Sequence, residues 1–143
     1  MAVPEPECGL VISYAYLWRN EYEAEKVEGL KNRPCAIILV VRNEDGGKKV
    51  TVAPITHTMP VDPAVAIEIP AKVKTHLGLI DSENSWIILD YFNVFAWPGY
   101  DLRTLAGKPG CYDYGFLPPV FFKQMVSKIL ELRHQAKGIT SRD

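Results

Sequence analysis

Pro34-Cys35-Ala36-Ile37-Ile38-Leu39-Val40-Val41, then Asn43-Glu44-Asp45-Gly46-Gly47, then Lys49-Val50-Thr51-Val52-Ala53-Pro54-Ile55 is the stretch that decides the fold. The first segment is a continuous apolar run of strand length, as expected for a strand buried on both faces. The second is a turn, because glycine supplies the positive φ that tight hairpins need. The third returns as the partner strand. Pro54 has no N–H to give a ladder, so that strand is expected to end or meet an edge there.

Upstream, residues 10–18 are β-branched and aromatic and read as a first strand. Residues 19–32 are charged, with Glu21, Glu23, Glu25 and Glu28 set against Arg19, Lys26 and Lys31, and read as an exposed loop. Downstream, Ala64 to Ile69 alternates as a strand, Ala71 to His76 reads as a short helix, and Trp86 to Leu89 reads as another strand. Pro118-Pro119 then precedes Phe122, Met125, Val126, Ile129 and Leu132, spaced as one apolar helical face. Proline suits a first helical turn, and Gly138 is the expected stop. Several short strands followed by one amphipathic helix predict a mainly β fold. It is expected to be a small, strongly bent antiparallel sheet or barrel with the helix over its open side.

The 143 residues fit a single domain over 1–143, with 48% hydrophobic and 23% charged residues. That balance argues against intrinsic disorder. No run of about 18 apolar residues occurs, so no membrane-spanning helix is expected. The acidic, proline-containing start Met1-Ala2-Val3-Pro4-Glu5-Pro6-Glu7 lacks the basic and apolar regions of a secretory signal, and a cytoplasmic location is expected. Cys8, Cys35 and Cys111 are far apart and odd in number, so they are read as reduced and structural. No Cys-x-x-Cys or His-x-x-x-His spacing is present, and neither metal nor cofactor is expected. The net charge of −1 gives no global attraction to a polyanion, although a local basic groove remains compatible with it.

Four local patterns, in order, resemble the MazF/PemK/Kid toxin family, which shares a fold with the gyrase poison CcdB. Gly9 opens an alternating apolar strand. Glu28 and Arg33-Pro34 precede the apolar strand, as in a Glu-x-x-Gly-x-Arg-Pro element. Pro54-Ile55-Thr56 matches a Pro-x-Thr that closes a third strand. Asp90 runs to Ala96-Trp97, as in an Asp-Gln strand ending on Ala-Trp. The resemblance spans about residues 9–97 and resumes at the terminal helix. Lys31 stands two before the arginine, where the family has glycine. Tyr91 and Asn93 stand for a glutamine and a basic residue, and Ile88 for a basic residue found in some members. Residues 98–117 form a longer loop than the family needs there.

The resemblance implies a divergent MazF/PemK-like domain. Its fold would be a small SH3-like, strongly bent barrel of the CcdB/MazF kind with a C-terminal amphipathic helix. It implies the toxin of a type II toxin–antitoxin system, a homodimer restrained by a cognate antitoxin protein. The activity implied is metal-independent cleavage of single-stranded RNA, such as mRNA, by 2′-hydroxyl attack that leaves a 2′,3′-cyclic phosphate. Such a catalyst positions the strand, moves two protons and neutralises charge on the phosphate.

Arg33 suits the last task, because its planar guanidinium grips two phosphate oxygens and stays charged. The resemblance also implies a part for it in proton transfer. The plainer reading of Arg33 is an ion pair with Glu28 at the mouth of a strand. Thr56 is the second expected catalytic residue, with a backbone-satisfying loop threonine as the alternative. Glu28, His57 and Asp90 are candidates for support or proton transfer. Lys31, Tyr91 and Asn93 are candidates for RNA contact. Tyr91, Phe92, Tyr100, Tyr112 and Tyr114 are aromatic enough to stack on bases, or else belong to the core. Two other functions remain open: a CcdB-like interaction protein that poisons a topoisomerase without chemistry, and an inactive relative that only binds RNA or protein.

Overall fold

The computed structural model describes residues 3–16, 32–79, 84–99, 102–105, 107–132 and 138–141. Eight strands order as β1 (Leu10–Ala15), β2 (Asn32–Arg42), β3 (Lys48–Thr56), β4 (Ala66–Glu68), β5 (Trp86–Ile88), β6 (Tyr91–Ala96), β7 (Asp113–Phe116) and β8 (Gly138–Ser141). Two helices join them, α1 (Ala71–Leu77) between β4 and β5 and α2 (Pro119–Leu132) between β7 and β8. The protein is therefore mainly β, with seven strands joined by antiparallel ladders and β8 running parallel to β6.

The β2–β3 hairpin forms at the expected turn. Asn43 N–H donates to the Gly47 carbonyl at 2.7 Å, Asp45 Oδ1 accepts the Gly47 N–H at 2.8 Å, and Gly46 takes φ +88°. β2 is buried only in its first half. Cys35, Ala36 and Ile37 have no exposed surface, whereas Leu39 and Val41 are 52% and 48% exposed. The cause is topological. β1 flanks β2 from Asn32 to Ala36, so beyond Ile37, where a bulge interrupts the register, β3 is the sole ladder partner.

β3 has two partners on its second edge: β6 along Lys49–Val52 and β5 along Ile55–Thr56. Pro54 falls in the gap between those ladders, where its missing N–H breaks neither. The strand thus continues past the proline to Thr56 instead of ending there. The sheet order is β4-β5-β3-β2-β1-β7, with β6 on β3 and β8 on β6. No ladder among the described residues joins β7 back to β4 or β8, so the sheet is open.

It is nonetheless curled. β1 and β6 are separated by β2 and β3, a span of about 14 Å in a flat sheet. Yet Tyr14 of β1 stacks on Phe95 of β6 with ring centroids 4.6 Å apart. The concave face holds Leu10, Ile12, Tyr14, Tyr16, Cys35, Ile37, Val50, Val52, Tyr91 and Phe95, closed at one side by Leu102. The other face holds Val11, Ala36, Ala53, Ile55, Ile87 and Phe92 under both helices. This division follows the two-residue period of each strand.

Ala64 and Val65 lie in a 3-10 turn, so only Ala66–Glu68 of the alternating stretch is strand. Asp62 caps that turn by accepting the Ala64 N–H. α1 ends on Gly78 in the left-handed conformation, with its N–H directed to the carbonyls of Lys74 and Thr75. α2 buries Phe121, Met125 and Leu132, with Phe122 and Ile129 half-buried. The inward stripe is therefore centred nearer Phe121 than the spacing of Phe122 and Val126 predicts. Phe122 instead lies over Gly9, whose Cβ position would be 3.5 Å from the ring. The expected stop at Gly138 turns on residues 133–137, which lie outside the described residues. The described helix ends at Leu132, and Gly138 opens β8 beside Tyr91.

Residues 98–117 are not a plain loop. Leu102 bridges Tyr14, and Asp113–Phe116 forms β7 on the free edge of β1. The loop expected at 19–32 lies outside the described residues up to position 31, and Asn32 already belongs to β2.

Candidate functional site

Arg33 and Thr56 stand at the same level of the sheet. Cys35 faces Pro54 across the β2–β3 ladder, and the same antiparallel register carried two residues further brings Arg33 opposite Thr56. On its other side Arg33 faces Tyr14 of β1. Side chains alternate, so Arg33 shares the concave face with Tyr14 and Cys35, and Thr56 follows Pro54 onto that face. Arg33 is half-buried and Thr56 is 9% exposed.

The Thr56 hydroxyl has a local task. Its Oγ1 accepts the backbone N–H of Thr58 at 3.1 Å, which turns the chain sharply at the end of β3. That is the backbone-satisfying role threonines often take after a strand. A hydroxyl oxygen accepting one bond still has its own proton to donate, so this turn and contact with a phosphate are compatible.

His57 sits inside that turn and is exposed, with Nδ1 3.0 Å from Oγ of the fully buried Ser85. The pair extends the β3–β5 ladder, in which Ile55 faces Ile87 and Thr56 faces Trp86. Period-2 alternation therefore sends His57 to the opposite side of the strand from Thr56.

Asp90 is 4% exposed and close to Tyr16. Burial pushes the Tyr16 phenol far above its ordinary value, and the neighbouring Cys35, Tyr91, Asp90 and Tyr14 push it the same way. Asp90 is thus buried near the Tyr16 phenol, next to the start of β6. Tyr91 and Asn93 are 6% and 0% exposed, so neither presents its side chain to solvent in the single chain. Their burial follows from period 2, since Tyr91, Asn93 and Phe95 share one face of β6 and Phe95 is core. Glu28 and Lys31 lie outside the described residues.

The described structure thus brings Arg33, Thr56 and His57 to one end of the sheet and keeps Tyr91 and Asn93 within the core. Phe92 is core as well, and Tyr112 and Tyr114 are half-buried. Tyr114 lines a separate cleft of about 520 Å³ with Leu77, Leu105, Lys108 and Asp113, which contains none of Arg33, Thr56, His57, Asp90, Tyr91 and Asn93. Arg42, Lys48 and Lys49 cluster at the far, hairpin end, where Glu5 meets Lys48 at 2.9 Å.

Ser85 is the residue that sequence reasoning missed. It follows the polar run Asp81-Ser82-Glu83-Asn84, and only the β3–β5 register reveals it as the partner of position 57. Among the described residues, no three of His, Cys, Asp and Glu come together as metal ligands would, and no helix is long and apolar enough to cross a membrane. No protein-family model and no characterised protein matches the chain in sequence.

Proposed function

We propose that this chain is a metal-independent endoribonuclease that cuts single-stranded RNA, the toxin of a type II toxin–antitoxin pair. In this reading the curled sheet is an SH3-like barrel of the CcdB/MazF kind, acting in the cytoplasm as a homodimer that an antitoxin protein restrains. The observation that carries it is the shared level of Arg33 and Thr56, derived from the pairing of Cys35 with Pro54.

The chemistry runs through the RNA's own nucleophile. The 2′-oxygen forms a bond to phosphorus, the bond from phosphorus to the 5′-oxygen breaks, and a 2′,3′-cyclic phosphate results. Arg33 holds two phosphate oxygens and offsets the charge that builds on them. Thr56 donates its hydroxyl proton to the same group. Glu28 takes the 2′ proton, and the departing 5′-oxygen takes a proton from solvent water at the Arg33 end of the site. The hydroxide so formed is neutralised by the proton that Glu28 releases. Lys31 adds a further contact to the RNA.

A second reading is a binder without chemistry, either CcdB-like or an inactive relative. The burial of Tyr91 and Asn93 favours it, because two expected RNA contacts turn inward. Incubating purified protein with a long mixed-sequence RNA and mapping the cuts separates the two. Discrete cuts bearing cyclic phosphates are expected. Intact RNA across a wide range of enzyme concentration would leave the binding reading in place.

A further inference from the structure

Beyond Ile37, one edge of β2 is bare among the described residues. The last backbone bond to that edge comes from Gly9, whose N–H donates to the Ile37 carbonyl at 2.8 Å. The chain reverses there. Leu10 N–H donates to the Glu7 carbonyl at 3.1 Å and Gly9 takes φ +92°, so the segment before Glu7 leaves the edge and runs to Lys48 and Trp97. Asn43 is bonded to Gly47 on the β3 side. Successive residues turn their backbone groups to opposite edges, so the N–H and C=O of Val40 and Arg42 point to the bare edge. Such edges are usually blunted by lysine, proline or a bulge. Here the bulge falls before Leu39, and Ile38-Leu39-Val40-Val41 contains neither charge nor proline. Leu39 and Val41 are 52% and 48% exposed, on the opposite face from Val40, which packs against the concave core.

We propose that this edge of β2 pairs with the same edge of a second copy of the chain, antiparallel about Val40, so that one sheet runs through both copies. A two-fold axis at Val40 bonds the two Val40 backbones to each other and sets Arg42 opposite Ile38 of the second copy. It also sets Leu39 against Val41 of the second copy, and the reverse, so four exposed apolar side chains cover one another on one face. Charge fits the same register. Cys8 Sγ lies 3.8 Å from the Ile38 carbonyl oxygen, and Glu7 precedes it with an exposed side chain. The Arg42 guanidinium delivered beside Ile38 therefore arrives next to a carboxylate, and symmetry makes that contact twice. An unrelated extended peptide would meet the same backbone groups, but it would not supply both the apolar pair and the charge pair. The ribonuclease reading asks for two chains together. The edge names a surface for them and is argued without RNA.

Sedimentation equilibrium of the full chain across the micromolar range tests the pairing. The wild type should approach twice the mass of one chain and stop there. Leu39→Lys, which changes a side chain exposed in the single copy, should weaken the dimer on the order of 100-fold while the chain stays folded. Glu7→Arg and Arg42→Glu should each weaken it by about 10-fold, and the double variant, which swaps the two charges, should recover most of the loss. Amide exchange on the wild type reads the edge without any substitution. The Val40 and Arg42 amides should be slow where the dimer is populated and fast on dilution, whereas the Leu39 and Val41 amides, bonded to β3, should be slow in both. A monomer throughout the range, masses that keep growing with concentration, or Val40 and Arg42 amides that ignore dilution would overturn the proposal. A dimer that Leu39→Lys and Arg42→Glu both leave intact would overturn it too, by placing the contact on another surface. None of these measurements contains RNA, so mapping cuts on RNA still decides the ribonuclease reading separately.

Discussion

Tyr16 donates its hydroxyl to the backbone carbonyl of Tyr91 at 2.7 Å, linking residues 75 positions apart across the concave face. The two rings meet edge to face at 6.5 Å and 82°. Tyr16 follows the last residue of β1 and Tyr91 opens β6, so the bond spans strands that have two others between them in the sheet. With the Tyr14–Phe95 stack, it holds the curl at the end of the sheet where Arg33 and Asp90 sit.

Tyr16→Phe keeps the ring and removes only the bond, leaving the Tyr91 carbonyl to find another donor. A loss of about 1–2 kcal/mol is expected, visible as a melting temperature lower by roughly 3–6 °C. An unchanged melting temperature would mean that the curl is held by ring packing alone.

The same residue predicts an alkaline limit. Burial raises the folded-state value of the Tyr16 phenol above its unfolded value of about 10. The neutral form is thus favoured by folding. Its contribution is complete below pH about 10 and is lost progressively as pH climbs beyond that toward the folded value. Denaturant midpoints from pH 9 to 11.5 should fall more steeply for the wild type than for Tyr16→Phe. Parallel curves would assign the alkaline loss to other groups.

The central hairpin is legible in the sequence because its determinants are local: Asn43 to Gly47 supply the turn, and the apolar runs on either side supply two strands. β7 is not legible. Asp113-Tyr114-Gly115-Phe116 has a glycine in its interior and pairs with β1 through a register shift at Val11 and Ile12. It is recruited by the edge of β1 more than by its own propensity. β8 depends on a parallel partner some 47 residues upstream, as Gly138 beside Tyr91 illustrates, and no local pattern announces such a pairing. At the site, the level of Arg33 and Thr56 follows once the hairpin register is known. Tyr91 and Asn93 carried a readable warning, since both share the two-residue period of Phe95. Ser85 carried none.

Gly99 tests the packing under the extended segment. It takes φ +70°, and an added Cβ would lie 2.9 Å from Phe95 Cδ2 and 3.1 Å from the Ala96 carbonyl oxygen. Phe95 is 2% exposed and stacked on Tyr14, so it has little room to give. Gly99→Ala should cost about 1–3 kcal/mol. Chemical denaturation showing no loss would mean that residues after Trp97 rearrange freely.

Cleavage by 2′-hydroxyl attack has a definite chemical signature. Activity should persist in EDTA, the upstream fragment should end in a 2′,3′-cyclic phosphate, and the downstream fragment should begin with a 5′-hydroxyl. Substituting a 2′-deoxynucleotide at the cut site should abolish that cut, because the nucleophile is gone. A strict need for magnesium, or a 5′-phosphate on the downstream fragment, would point to attack by water instead.

Arg33 separates a transition-state contact from simple charge attraction. If its guanidinium grips the phosphate through two directed hydrogen bonds, Arg33→Lys keeps the charge and loses the fork. Both Arg33→Ala and Arg33→Lys should then lose cleavage by on the order of 100-fold or more, as when one transition-state donor is removed. Affinity for an uncleavable RNA should fall less in the lysine variant than kcat does, since uniform attraction survives while the contact made in the transition state is lost. Folding should hold in both, because Arg33 is only half-buried at the open end of β2. A folded Arg33→Ala protein that cuts at the wild-type rate would remove Arg33 from the chemistry. Ribonuclease activity would then have to rest on other residues, and substitutions at Glu28 and Lys31 would become the next measurement.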